Sequence, residues 1–208
     1  YFFYELGYRM ATQDTGTYSD ITGVERLQKY AGMFGFDSTS GIELPESKPQ
    51  ISDADAIRTA IGQGTNNFTA TQLARYVTTL ANSGTCYDLS LVSEIKDING
   101  NVVYKNEHKV HNQLDFPAEQ WNVVRQGMRQ VVSVHTSSSA LINQINVAVA
   151  GKTGTAQQSD ARPNHALFVG FAPYESPEIA IAVRIANGYT SANCAEVGAD
   201  VFKYYFNL

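Results

Sequence analysis

Apolar positions along the chain fall into two periods, and the change between them divides the sequence. In the first stretch, YFFYELGYRM, Phe2, Leu6 and Met10 share one helical face, as do Phe3 and Leu6, with no capping residue ahead of them. Thr22 and Glu25 then read as a capping box for a helix through Val24, Leu27, Ala31 and Phe34, with Gly35 as its stop. Thr69 and Gln72 form a second box, Phe68 and Leu73 a hydrophobic staple, and Leu73, Val77 and Leu80 a stripe that Gly84 ends. A further helix starts near Pro117 and is expected to bury Trp121, Val124, Met128 and Val131.

Strand patterns follow a different rhythm. In LVSEIKDINGNVVY, alternating apolar residues around Asn99-Gly100 predict a hairpin near residues 91–104. Three strands are predicted at 145–155, 166–172 and 179–186, then a helix over 193–206 opened by a box of Asn193 and Glu196. Short links between successive strands make them antiparallel neighbours. The expected class is α+β, with 1–144 mainly helical and 145–208 holding the strands and C-terminal helix. Residues 37–55, with Gly41, Pro45 and Pro49, read as a long connection, and Ser137, Ser138 and Ser139 as polar loop or helix-start residues.

Composition narrows the chemistry. An apolar fraction of 43% over 208 residues suits one globular domain or a large part of one. A formal charge of -5 without a Lys/Arg cluster argues against nucleic acid as a partner. No apolar run approaches the length of a membrane span. Cys86 and Cys194 are too few and too distant for a disulfide framework or zinc site, so each is expected to be a free or buried thiol. His108 and His111, in the polar run NEHKVHNQ, lack partner ligands and read as part of a solvated loop. His135 and His165 are isolated, His165 fitting a hydrogen-bonding role near a strand start. No metal or cofactor is expected.

Candidate chemistry concentrates in VAVAGKTGTAQ, residues 147–157, where an alternating strand runs into a lysine, hydroxyls and glycines. Lys152 supplies a cation, Thr153 and Thr155 supply hydroxyls, and Gly151 and Gly154 bare the backbone for a ligand. Such a set suits a carboxylate. A phosphate-binding P-loop would need glycine where Asn146 stands, so that reading fails on spacing. An edge strand whose lysine merely discourages aggregation stays open on these residues alone.

The segment resembles the KTG motif of serine penicillin-binding proteins. AIGQG at 60–64, TATQLA at 69–74, HALFVGFAP at 165–173 and IAIAVRIANG at 179–188 resemble, in order, the transpeptidase domain of the class B, monofunctional members. The resemblance implies an antiparallel sheet covered by helices beside a helical subdomain. It also implies a D,D-transpeptidase that cross-links peptidoglycan stem peptides through a serine acyl-enzyme, binds beta-lactam antibiotics and works at the extracytoplasmic face of the bacterial cell membrane. Lys152, Thr153 and Thr155 would hold the substrate carboxylate, the Thr155 N–H would form half of an oxyanion hole, and Gly154 would keep the approach clear.

In that family SxxK and SxN precede KTG, and the first serine is the nucleophile. Ser93 and Lys96 match SxxK, yet residues three apart on a strand face opposite ways. Ser191 and Asn193 match SxN but follow the lysine. Neither pair fits. The expectation is therefore a C-terminal part of one transpeptidase domain, cut inside a helix after SxN. It would lack the nucleophile, be inactive alone, and expose Phe2, Phe3 and Leu6 where its missing N-terminal part would pack, a surface open to self-association. Alternatives are a non-catalytic domain that binds or senses beta-lactams or peptidoglycan peptides, and a serine beta-lactamase relative, which would need a water-activating carboxylate.

Overall fold

Local capping chemistry explains where most helices begin and end. A computed structural model describes residues 1–12, 16–134 and 140–208, so the expectations placed on His135 and on Ser137, Ser138 and Ser139 lie outside the described residues. The chain divides into two units, Tyr1–Arg75 with Thr85–Leu114, and Tyr76–Gly84 with Asp115–Leu208.

In the first unit α1 spans Phe2–Thr12, α2 Asp20–Met33 and α3 Ala56–Ala60. The α2 cap is Ser19, whose hydroxyl accepts from the Thr22 N–H at 3.3 Å, so the helix starts ahead of the expected Thr22–Glu25 box. Its end is as expected. Gly35 takes φ +82°, with Gly35 N–H bonded to the Gly32 carbonyl and Phe36 N–H to that of Ala31, a Schellman closure. Small residues join the three helices: a Cβ on Gly7 would meet the Ala56 carbonyl at 2.8 Å, and one on Gly23 the Ala56 methyl at 2.6 Å. The buried face of α1 is thus Gly7 and Ala11, while Phe2, Phe3 and Leu6 stand exposed.

Helix α4, Ala70–Ala81, opens with the expected box: Thr69 N–H donates to Gln72 Oε1 at 2.9 Å and Gln72 N–H to Thr69 Oγ1 at 3.2 Å. It buries Val77 and Leu80, and also Gln72, Arg75 and Thr79, which the apolar stripe did not announce. Arg75, 1% exposed, donates to the carbonyls of Gly35, Ser38 and Thr39, so a buried cation gathers the turn after α2.

Two small ribbons complete this unit. Strands β1, Thr85–Tyr87, and β4, Val110–Gln113, pair antiparallel, and β2, Glu94–Lys96, pairs with β3, Val102–Lys105, as the expected hairpin, with Gly100 at φ +85° in its turn. The β4 pairing corrects the solvated-loop reading of residues 106–113 at Val110–Gln113, while 106–109, with His108, remain a loop. His111 Nδ1 lies 3.0 Å from Asp88 Oδ1 and its Nε2 3.4 Å from Ser38 Oγ.

The second unit is a three-stranded antiparallel sheet in the order β5, Ala150–Ala156, β6, His165–Ala172, and β7, Ile179–Ile185. The segment before Ala150 is not strand, which shortens the first predicted strand. Short α6, Ala140–Asn143, and α7, Ser191–Phe206, join it. The α7 cap is Thr190, whose hydroxyl accepts from Ala192 N–H, while Asn193 Nδ2 reaches the Gly188 carbonyl; the expected Asn193–Glu196 box gives way to this. Phe168, Ile181, Cys194, Ala199 and Phe202 form the core between sheet and α7.

Helix α5, Ala118–Ser133, follows Pro117 and buries Trp121, Met128 and Val132. Val124 is 46% exposed, against expectation; its place in the stripe goes to Arg125, whose guanidinium lies over the rings of Phe171 and Tyr174. Phe171 and Phe168 are three apart on one strand, so α5 and α7 cover opposite faces of the sheet. Cys86 and Cys194 are both free and buried, and no helix among the described residues is long and apolar enough to cross a membrane.

Candidate functional site

All four residues singled out from the sequence lie on β5, an edge strand whose one partner among the described residues is β6. Lys152 pairs with Val169, Thr153 with Phe168, Gly154 with Leu167 and Thr155 with Ala166. Strand alternation puts Lys152 and Gly154 on the α5 side and turns Thr153 and Thr155 toward the α7 side. The lysine and the hydroxyls therefore do not share a face. They meet only at the free edge.

That edge is open and polar. Lys152 and Thr155 are exposed, and Lys152 Nζ donates to the Thr153 carbonyl at 2.6 Å. Within an antiparallel strand a residue's N–H and C=O point the same way and alternate from residue to residue. A Thr153 carbonyl in reach of the ammonium marks residue 153 as edge-facing, and by alternation the Thr155 N–H faces the same side.

The two glycines of the motif differ in what they are for. A Cβ on Gly151 would sit 2.6 Å from Phe168 Cζ and 2.8 Å from the Val169 carbonyl, so packing demands glycine there. This corrects the expectation that Gly151 bares the strand for a ligand, because the Phe168 ring already occupies that space. A Cβ on Gly154 would meet nothing nearer than Leu167 Cβ at 3.4 Å, an ordinary contact. Among the described residues, nothing in the packing requires glycine at 154.

Beyond β5, residues 157–164 are tied back by side chains: Gln157 Nε2 donates to Asp160 Oδ1 at 2.6 Å, and His165 Nε2 lies 2.9 Å from Gln158 Oε1. The Asn187 N–H donates to His165 Nδ1 at 3.0 Å, which leaves Nε2 as the protonated nitrogen and gives His165 the hydrogen-bonding role expected of it. Arg184, exposed on β7, pairs with Leu167 and so stands on the Lys152 face, a second cation that only the strand register reveals.

Neither alternative serine motif assembles. Ser93 precedes β2, and Lys96 is spent on Glu94 at 2.7 Å. Ser191 is buried in the first turn of α7, and Asn193 binds the Gly188 carbonyl.

Comparison with known proteins shows the family and the fold. A family model described as the penicillin binding protein transpeptidase domain matches residues 3–205. Penicillin-binding protein 2A of Bacillus subtilis is 30% identical over 91% of the chain, and the peptidoglycan D,D-transpeptidase MrdA of Haemophilus influenzae 28% identical over 99%. The chain spans about a third of these relatives' own length, 30% and 34%. Among solved structures, penicillin-binding protein 2B of Streptococcus pneumoniae superposes with a TM-score of 0.81 at 25% identity, covering 97% of this chain and 37% of that one. A ceftriaxone acyl-enzyme of penicillin-binding protein A from M. tuberculosis superposes with a TM-score of 0.80 at 25% identity, covering 97% and 45%.

Proposed function

The chain belongs to the penicillin-binding protein transpeptidase domain family, and on that premise we propose that it is the KTG-bearing, C-terminal part of one peptidoglycan D,D-transpeptidase domain. In the reaction, a serine hydroxyl attacks the carbonyl of the terminal D-Ala-D-Ala amide, the amide C–N bond breaks, and D-alanine leaves with the serine's proton. The acceptor peptide's amine then displaces the serine from the ester, forming the cross-link. A beta-lactam enters by the first step, its strained amide opening to an ester that persists.

Lys152 and the hydroxyls of Thr153 and Thr155 bind the donor peptide's terminal carboxylate, and the Thr155 N–H receives charge developing on the carbonyl oxygen. The observation that carries this reading is Gly154, a glycine that packing among the described residues does not demand, on an open strand edge between an exposed lysine and an exposed threonine. A side chain there would stand where the substrate backbone lies. The attacking serine is not Ser93, whose candidate lysine is held by Glu94, so the 208-residue chain by itself supplies recognition and not the nucleophile.

The substrate places the work at the extracytoplasmic face of the bacterial cell membrane. The exposed Phe2, Phe3 and Leu6 support a role for the α1 surface in association, with another part of the domain or with a second copy.

Fluorescent penicillin tests the proposal. The 208-residue chain is expected to take no covalent label, while a longer protein containing it is labelled, with Lys152→Ala slowing acylation about a hundredfold, the scale of one lost transition-state donor. A stable adduct on the 208 residues alone would refute the division of labour, and unchanged acylation of K152A would refute the role of Lys152.

A further inference from the structure

Away from the KTG edge, the hairpin of β2 and β3 leaves another strand edge open. Among the described residues β2 pairs with β3 and with no other strand. Ile95 and Tyr104 stand opposite each other on the ribbon, both exposed, and Ile98 in the turn is wholly exposed. A two-stranded ribbon is marginal by itself in water. Asp97 holds this one in shape, accepting from the N–H groups of Asn99 and Asn101, both at 2.8 Å, and from Asn101 Nδ2 at 2.9 Å.

The aim of the main-chain groups on β2 follows from its ends. The Ser93 carbonyl accepts from the Asn106 N–H at 2.8 Å, and the Asp97 N–H donates to the Asn101 carbonyl at 2.9 Å, so residues 93 and 97 face β3. By alternation Ile95 does too, and the N–H and C=O of Glu94 and Lys96 point to the open edge. Those four groups are a template for one more strand.

The side chains say which strand. An edge guarded by charges of one sign repels its own copy, but here the order VSEIKDI, residues 92–98, is complementary to itself about Ile95. Glu94 mirrors Lys96, Ser93 mirrors Asp97, and Val92 mirrors Ile98. An antiparallel copy centred on Ile95 sets each Glu94 across from the other chain's Lys96, and opposite charges directly across a strand pair attract. Glu94 and Lys96 of one chain already lie 2.7 Å apart on one face. Two copies therefore close a ring of four alternating charges, while the two Ile95 side chains meet on the other face between the Tyr104 rings.

We propose that the open edge of β2 binds a second copy of this chain, antiparallel and two-fold symmetric about Ile95, joining two hairpins into one four-stranded ribbon. The proposal does not rest on the transpeptidase reading.

Sedimentation velocity of the 208-residue chain over a dilution series up to millimolar concentration tests it. Glu94→Lys and Lys96→Glu each set like charges across from one another twice, and each should weaken self-association about tenfold or more, since two attractive pairs become repulsive. Mixing the two variants restores both pairs between chains, and the exchanged E94K/K96E chain restores them with its own copy, so both should recover the affinity. Association through the exposed residues of α1 is blind to these exchanges. Ile95→Cys, on the two-fold axis, should give a disulfide-linked dimer on mild oxidation, whereas Val103→Cys, exposed on β3 and off that axis, should not. A chain that stays monomeric at millimolar concentration overturns the proposal, as do single variants that associate like the wild type or mixtures that recover nothing.

Discussion

Replacing Gly198 by alanine sets two effects against each other, and the structure says which prevails. On an exposed helix the change gains about 1 kcal/mol from helix propensity. On α7 the added methyl would stand 2.9 and 3.0 Å from Phe168 Cδ1 and Cε1 and 3.2 Å from Ile181 Cδ1. The ring has nowhere to go, because its far side already lies against Gly151 and Gly170, where added Cβ atoms would approach it to 2.6 and 2.8 Å. Overpacking of this kind costs about 1–3 kcal/mol, so Gly198→Ala should destabilise by up to about 2 kcal/mol after the propensity gain. Phe168→Leu alone should also destabilise, by an amount on the order of 1–2 kcal/mol for the void it leaves. In the double variant the methyl fills part of that void, so the two costs should sum to less than their separate values by about 0.5 kcal/mol or more. Urea denaturation followed by circular dichroism gives all four stabilities. A stabilised G198A, or strict additivity in the cycle, would refute the claim that three glycines cradle Phe168.

Other expectations follow from single groups. Glu43 accepts from the Ser90 hydroxyl and from the Leu91 N–H at 2.8 Å, and its pKa falls from 4.5 to about 2, chiefly through Ser90. Because the folded value is the lower one, its contribution to stability is present above the ordinary carboxylate range and is lost as pH falls toward about 2; carbon NMR titration should show Ser90→Ala moving Glu43 back toward 4.5. Arg75→Gln leaves carbonyls of Gly35, Ser38 and Thr39 without their donor, and a loss of about 3 kcal/mol or more is expected in urea, since each buried orphan costs roughly 1–3 kcal/mol. Thr69→Ala removes an N-cap and a hydroxyl bond to Glu46, and should cost about 1 kcal/mol or somewhat more in the same assay.

What the amino-acid order determined by itself was whatever operates within a turn or two of the backbone. The Thr69–Gln72 box, the Gly35 stop, the Asn99-Gly100 hairpin and the three alternating strands were legible because their partners lie a few residues away. So was the family, through motifs carried on those strands. Caps with several nearby candidates were misplaced: Ser19 and Thr190 took the roles assigned to Thr22 and Asn193.

Tertiary structure decided what depends on an opposing surface. Pairing of Thr85–Tyr87 with Val110–Gln113 joins segments too polar to show a period. Arg125 displaced Val124 from the buried stripe because two aromatic rings and a carbonyl waited for a cation. Gly151 and Gly154 look alike in the sequence, yet one is filled by Phe168 and the other is open. Burial of a charge, the need for a glycine and the emptiness of a cleft are properties of what lies across the gap, and distant parts of the chain supply that neighbour.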